Sequence, residues 1–102
     1  MIRATTPKHI FTFPEPVDPS SCRQILITYK QNGRIVLELQ KEDFEIEDRT
    51  VIYALTQEQT RRFSPNHKAC VQVRVLTPEG NALASEIEEI EVRNVLNDEV
   101  LG

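Results

Sequence analysis

The sequence predicts an all-β protein, an antiparallel two-sheet sandwich of about seven strands. Two hairpins indicate this class. In the first, the alternating run Ile25 to Gln31 turns at Asn32-Gly33 into a second apolar run. In the second, Val71 to Thr77 alternates in the same way and turns at Pro78-Glu79-Gly80. Because 102 residues suffice for one hydrophobic core and not for two, we expect a single domain.

The first strands follow from alternation and turn residues. Lys8 to Phe13 forms a strand that ends at Pro14, because proline cannot donate to a sheet ladder. The pair Asn32-Gly33 suits the positive φ that a type I′ turn requires at both central positions. The return strand carries three apolar residues that alternation places on the inward face: Ile35, Leu37 and Leu39.

Two short strands, Asp43 to Glu47 and Thr50 to Leu55, lead to a short helix. The segment Thr56 to Gln59 has the pattern of a capping box, in which a threonine hydroxyl and a glutamine side chain each satisfy a backbone amide. Pro65 limits the helix to one or two turns. We expect Phe63 to plug one end of the sandwich.

The last strand is predicted over Asn81 to Arg93, after the strand Lys68 to Thr77. Its inward residues step by three from Ile87 to Ile90, which predicts a β-bulge near Glu88-Glu89. The short helix therefore lies before the penultimate strand, Lys68 to Thr77, as in an immunoglobulin-like sandwich. This sandwich would span residues 1–94, with 95–102 as a C-terminal tail that folds back or docks on a neighbouring subunit. A five-stranded barrel is the alternative.

Charge and hydropathy exclude two classes of partner. The formal net charge is −4, whereas proteins that coat nucleic acid need a basic face to neutralise phosphates. No apolar run reaches membrane-spanning length, and the first residues lack the apolar stretch of a signal peptide. We therefore expect neither nucleic-acid nor membrane binding, and synthesis in the cytoplasm.

Residues that could perform catalysis are scattered. Cys22 and Cys70 share parity with polar neighbours, so we expect free thiols that point away from the core. His9 and His67 lie in separate segments, without cysteine or carboxylate at ligand spacing, and each is interpreted as a lone surface histidine. The three glycines cannot form a phosphate-binding loop. The sequence predicts no catalytic, cofactor or metal site, and hence a protein that is not an enzyme.

The surface offers candidate binding residues. Six carboxylates and one arginine lie between Glu86 and Glu99, whereas basic residues cluster between Arg61 and Lys68. This asymmetry permits head-to-tail association of copies, but a solvated sheet face is the favoured interpretation. The candidate partner-binding residues are three arginines and four apolar residues of the tail: Arg61, Arg62, Arg74, Val95, Leu96, Val100 and Leu101.

Four stretches resemble an uncharacterised family of small proteins encoded in prophage late-gene regions of gut Firmicutes. They are Met1 to Thr12, Leu55 to Thr60, Val73 to Ser85 and Val95 to Leu101. The chain is more loosely similar to the immunoglobulin-like sandwich domains of phage baseplate and tail proteins. Those modules usually precede a receptor-binding region, and here the chain ends after the sandwich.

The resemblance implies a non-enzymatic phage structural or accessory protein, associated with the tail, baseplate or capsid. Such a protein would be made in the cytoplasm of the host bacterium and carried in the virion. Its expected partners are other phage structural proteins or copies of itself, in a homo-oligomer. Two other functions stay open: a carbohydrate- or ligand-binding module, and a small cytoplasmic regulatory or anti-host factor.

Overall fold

A computed structural model describes residues 1–102 and contains two antiparallel sheets. The three-stranded sheet has the order β1-β5-β4, with bounds Lys8–Thr12, Thr50–Ala54 and Glu45–Glu47. The five-stranded sheet is formed by β2 Gln24–Gln31, β3 Arg34–Gln40, β6 Ala69–Leu76, β7 Ala82–Ala84 and β8 Glu88–Ile90. A 3₁₀ turn spans Lys41–Asp43, and the helix α1 spans Gln57–Arg61.

The strand order confirms an immunoglobulin-like sandwich. In the second sheet β3 pairs with β2, β2 with β6, and β6 with both β7 and β8. This arrangement matches the two-sheet order of immunoglobulin domains, except that no strand lies beside β1 on the side away from β5. The N-terminal segment instead forms a parallel bridge from Ile2 to Arg93, beyond the end of the second sheet.

Both predicted hairpin turns are confirmed. Asn32 and Gly33 have φ of 52° and 75°, as a type I′ turn requires. Gly80 has φ of 88°, the left-handed conformation expected after Pro78-Glu79. These turns set the pairing of β2 with β3 and of β6 with β7.

The predicted helix start is also confirmed. The Thr56 hydroxyl accepts a hydrogen bond from the Gln59 amide at 3.0 Å, and the Gln59 side chain accepts one from the Thr56 amide at 2.9 Å. One turn after α1, Phe63 is buried with its ring edge-to-face against Tyr29, at a centroid distance of 5.8 Å. Phe63 closes this end of the core, as the sequence predicts.

The core contains 16 buried residues that come from both sheets. Alternate positions of the two central strands supply most of the second sheet's share: Ile25, Ile27, Tyr29, Val71, Val73 and Val75. From the three-stranded sheet and its ends, Val51, Tyr53 and Phe13 pack against them. Each buried aliphatic or aromatic side chain contributes about 1.5–3 kcal/mol relative to exposure.

Three predictions about side-chain direction or pairing are wrong. Ile35 is exposed, because the β2–β3 register shifts after Tyr29 and leaves Val36 as an extra residue in β3. Cys22 is buried in the core, because it lies in the turn before β2, where strand parity does not apply. Both cysteines are free, as predicted.

The third difference concerns the last predicted strand, which the structure divides into β7 and β8. Val75 pairs with Leu83, whereas Val71 pairs with Glu88, so one extra residue lies between the two strands. The register shift exists, but it lies between Ala84 and Glu88 and not near Glu88-Glu89 as predicted. The β6–β7 register continues to Ser85, whose amide donates to Val73 O at 2.8 Å. The ladder is interrupted there, because the Ser85 hydroxyl and not its carbonyl accepts from Val73 N.

Candidate interaction surface

An apolar groove separates the edges of the two sheets on the side where β1 has no outer neighbour. Its volume is about 310 Å³, and we refer to it as the seam. Its lining comes from β1 and the loop after it on one side, and from β6 and β7 on the other: Phe11, Phe13, Val17, Val73, Val75 and Leu83. Thr12 and Ser85 add hydroxyl groups at its border.

The backbone of β1 is unpaired along the seam. Phe13 N donates to Arg49 O at 2.7 Å, and Pro7 O accepts from Leu55 N at 3.0 Å, so odd-numbered residues of this segment bond toward β5. In an antiparallel ladder the alternate residues direct their N–H and C=O groups the other way. The free edge of β1 is therefore formed by Lys8, Ile10 and Thr12, all of which are exposed.

The opposite border of the seam is an interrupted, acidic edge formed by β7 and β8. Between the two strands, the Ser85 hydroxyl accepts from Val73 N at 3.0 Å, and Ser85 O accepts from the Gln72 side chain at 2.9 Å. Leu83 and Ile87 are exposed along this edge. Its carboxylates are also exposed: Glu86, Glu88 and Glu89.

A hydrogen-bonded network of three side chains crosses the interior. The Tyr29 hydroxyl lies within hydrogen-bond distance of both His9 Nδ1 and the Tyr53 hydroxyl. The His9 ring also contacts Tyr53 edge-on, at a centroid distance of 5.6 Å. The interpretation of His9 as a lone surface histidine is wrong, because His9 and Phe11 of β1 face the core, as does Phe13 directly after the strand.

Burial governs the acidity of this network. It lowers the pKa of His9 from its ordinary value, since the charged imidazolium loses hydration. It raises the pKa of Tyr29 to about 12 and also raises the pKa of Tyr53. The three groups are therefore neutral near pH 7. Neutral hydroxyl and imidazole groups bonded to one another link the two sheets through the core.

The structure places the predicted partner-binding residues in two regions. Arg61 ends α1, and its carbonyl oxygen accepts from Arg3 Nη2 at 3.0 Å. Arg62 follows it and is exposed. Arg74 is exposed on the outer face of the five-stranded sheet, beside Ala84, and lies apart from the other two arginines.

The C-terminal tail lies against α1 and the N-terminal segment of its own chain. Gln57 exchanges two hydrogen bonds with the backbone of Leu101, at 2.8 and 2.9 Å. Asp98 forms an ion pair with Arg3 at 3.3 Å. The apolar tail residues remain largely uncovered: Val95 is half-buried, whereas Leu96, Val100 and Leu101 are exposed.

The acidic and basic segments of the sequence are neighbours in space. β8 pairs with the start of β6, directly after the basic cluster, and Asn66 N donates to Val92 O at 2.7 Å. Separation along the sequence therefore does not give the molecule two oppositely charged ends. This geometry removes the charge-based argument that head-to-tail association is permitted.

No three side chains of His, Cys, Asp or Glu type are grouped so that they could hold a metal ion. No helix has the length and apolar character needed to span a bilayer.

No protein-family model and no curated protein matches this chain. Among solved structures, the chain is similar to the V domain of amphioxus IgVJ-C2, at 12% sequence identity and a TM-score of 0.36. The alignment covers 90% of this chain and 96% of that chain. The strand order of this chain by itself shows the immunoglobulin-like sandwich.

Sequence analysis missed the seam and the His9–Tyr29–Tyr53 network. Alternation predicts which residues face inward, but it does not predict which strand lies at an edge. One signal for the network was available, since alternation places His9 on the same face of β1 as Phe11 and Phe13.

Proposed function

We propose that this protein is a non-enzymatic phage structural or accessory protein that acts by protein–protein assembly. The observation that carries the proposal is the free edge of β1 beside the apolar seam. An unpaired strand edge offers backbone donors and acceptors to a partner strand, and an adjacent apolar groove can bury the partner's side chains. The placement in a phage particle rests on the resemblance of the sequence.

The exposed tail residues support the same proposal. Leu96, Val100 and Leu101 lie outside the core, while the backbone of Leu101 is held by Gln57. An ordered segment that displays apolar side chains is typical of a docking surface. The proposed partners are other phage structural proteins or copies of this chain, and the proposed location is the host cytoplasm followed by the virion.

The two alternative functions differ in what they require. A carbohydrate-binding module needs exposed aromatic rings, and both tyrosines of this chain are buried in the core. A cytoplasmic regulatory or anti-host factor requires no particular surface of this kind. The location of the protein, and not its fold, distinguishes such a factor from a virion component.

Mass spectrometry of gradient-purified phage particles from an induced lysogen tests the proposal. We expect peptides of this chain at a stoichiometric ratio to a known tail or capsid protein, and retention after a high-salt wash. Recovery only in the soluble fraction of the lysate, with particles free of the chain, would contradict a virion role and favour the regulatory factor. Particles from a lysogen that lacks the gene provide the control.

A further inference from the structure

We propose that two copies of this chain associate side by side across the seam, with the β1 edge of each copy paired to the β7–β8 edge of the other. This inference rests on the proposed assembly function and names one partner, a second copy. The two-fold axis would run parallel to the strands. Each three-stranded sheet would then continue into the five-stranded sheet of the other copy.

Strand direction permits this pairing. The Lys8 end of β1 lies at the end of the sandwich that carries α1, because Lys8 pairs with Ala54 at the end of β5. β6 starts at that same end, since Cys70 pairs with Lys30 and the Gln31 side chain donates to Ser64 O. β7 is antiparallel to β6, so β7 runs opposite to β1. A rotation about an axis along the strands preserves these directions, and the new pairs are antiparallel ladders.

The free backbone groups on the two edges are complementary. Lys8, Ile10 and Thr12 offer theirs on β1. On β7, Thr77 N donates to Asn81 O at 2.8 Å, and Ser85 N donates to Val73 O at 2.8 Å, so odd-numbered residues bond toward β6. The groups of Ala82 and Ala84 therefore point outward, toward the position of the second copy's β1.

Charge complementarity favours pairing of the β1 edge with the β7–β8 edge over pairing of two β7–β8 edges. The β1 edge carries Lys8 and no carboxylate within the strand, whereas the β7–β8 edge carries exposed glutamates and no cation. Lys8 lies on the outer face of its sheet, and Glu89, opposite Cys70, lies on the outer face of the other. Both lie toward the α1 end of the molecule. In the proposed pair Lys8 approaches the partner's Glu89, whereas β7–β8 edges placed together would bring carboxylates face to face.

Exposed apolar side chains line the same two edges. Ile10 on β1 is 60% exposed, Ile87 is 63% exposed, and Leu83 beside the seam is 44% exposed. Association would cover these side chains and close the seam on both copies. Ile35 provides a matched reference, because it is 57% exposed on β3, the opposite edge strand, where the neighbouring cleft is lined mainly by polar residues.

Sedimentation equilibrium of the full chain over a wide concentration range tests the proposal. We expect a species of twice the 11.7 kDa chain mass. Ile10→Glu should weaken association on the order of 100-fold, because it places a carboxylate against the glutamate-bearing edge of the other copy. Ile35→Glu, the control, should leave association unchanged. Equal effects of the two variants, or a chain that is monomeric at every concentration, would overturn the proposal.

A charge exchange identifies the edges that meet. Lys8→Glu and Glu89→Lys should each weaken the dimer by at least about fivefold, and the double variant should recover most of the loss. Circular dichroism confirms that each variant is folded. A double variant as weak as the sum of the single ones would exclude this register.

Truncation after Asn94 separates the inference from the wider assembly function. It should leave the dimer intact, since the tail lies away from the seam. A dimer lost on truncation but retained in Ile10→Glu would place the interface at the tail, which overturns this inference and leaves the proposed function standing. If the chain is monomeric but co-purifies with another virion protein, this inference is likewise overturned and the proposed function stands.

Discussion

The β2–β6 pair and the β1 edge are built from the same alternating pattern, yet their apolar side chains have different surroundings. Seven residue pairs align β2 with β6, and each strand has a further neighbour on its other side. Ile27 in this pair is fully buried. On β1 only one side is paired, and Ile10 is exposed. Isoleucine side chains therefore stabilise the core in the β2–β6 pair and offer a binding surface on the β1 edge.

The difference follows from sheet face and strand order, because Ile27 faces the core whereas Ile10 lies on the outer face of a strand that has a neighbour on one side only. Both sheets present apolar residues to the shared core, so the inward faces of β1 and β2 are alike in character. What distinguishes β1 is the missing neighbour, which leaves backbone groups and the seam accessible. The comparison predicts that substitutions at the centre change the free energy of unfolding, whereas substitutions on the β1 edge change association.

The sharpest test replaces one isoleucine in each region. Ile27→Ala should lower the free energy of unfolding by about 2–5 kcal/mol, because it opens a cavity where two sheets pack. Ile10→Ala should lower it by less than about 0.5 kcal/mol at concentrations where the chain is monomeric. Urea unfolding measures both values. A cost for Ile10→Ala close to that for Ile27→Ala would contradict the comparison.

The next test removes the polar link between the two regions. Tyr29→Phe should lower stability by about 1–3 kcal/mol, because His9 and Tyr53 both lose their hydrogen-bond partner in a buried site. Tyr53→Phe should cost less, since the Tyr53 hydroxyl contacts only one member of the network. Thermal unfolding of the two variants gives the order. Equal costs would mean that the bond between His9 and Tyr29 contributes little.

A smaller effect is expected at the helix that connects β5 to β6. Thr56→Ala removes the hydroxyl that accepts from the Gln59 amide, and it should cost about 1 kcal/mol. Thr56→Ser retains the acceptor and serves as the control. Both are measured by urea unfolding. Similar losses for the two variants would assign the effect to the threonine methyl group and not to the cap.

The smallest effect concerns pH. The pKa of His9 is lower in the folded protein than its ordinary value of about 6.5, so between the two values the unfolded chain binds more protons than the folded one. Stability should therefore fall as pH decreases below about 6.5, and the loss stops increasing below the folded pKa. His9→Gln should reduce this slope in denaturant titrations between pH 7 and pH 5. An unchanged slope would show that His9 is not its source.

The elements governed by local chemistry could be predicted from the sequence. The Asn32-Gly33 turn and the Thr56 capping box each depend on residues close in the chain, and both are confirmed. The predicted burial of the large apolar Phe63 is confirmed as well. Two-sheet architecture followed from the number of alternating runs and their short connections.

Features that depend on cross-strand pairing could not be predicted. The exposure of Ile35 results from a register shift against β2, and the environment of His9 depends on Tyr29, which is distant in the sequence. The seam results from the order of the strands in the two sheets, and the sequence of any one strand does not predict that order. The missed parts of the candidate surface are therefore those that arise only when strands from separate hairpins meet.

The single extra residue between β7 and β8 restricts how this region can change. Leu83 faces the seam and Ile90 faces the core only because that residue restores the alternation between them. Deleting it would turn Ile90 toward solvent and bring Glu89 toward the interior. The segment from Ser85 to Ile87 therefore has a fixed length.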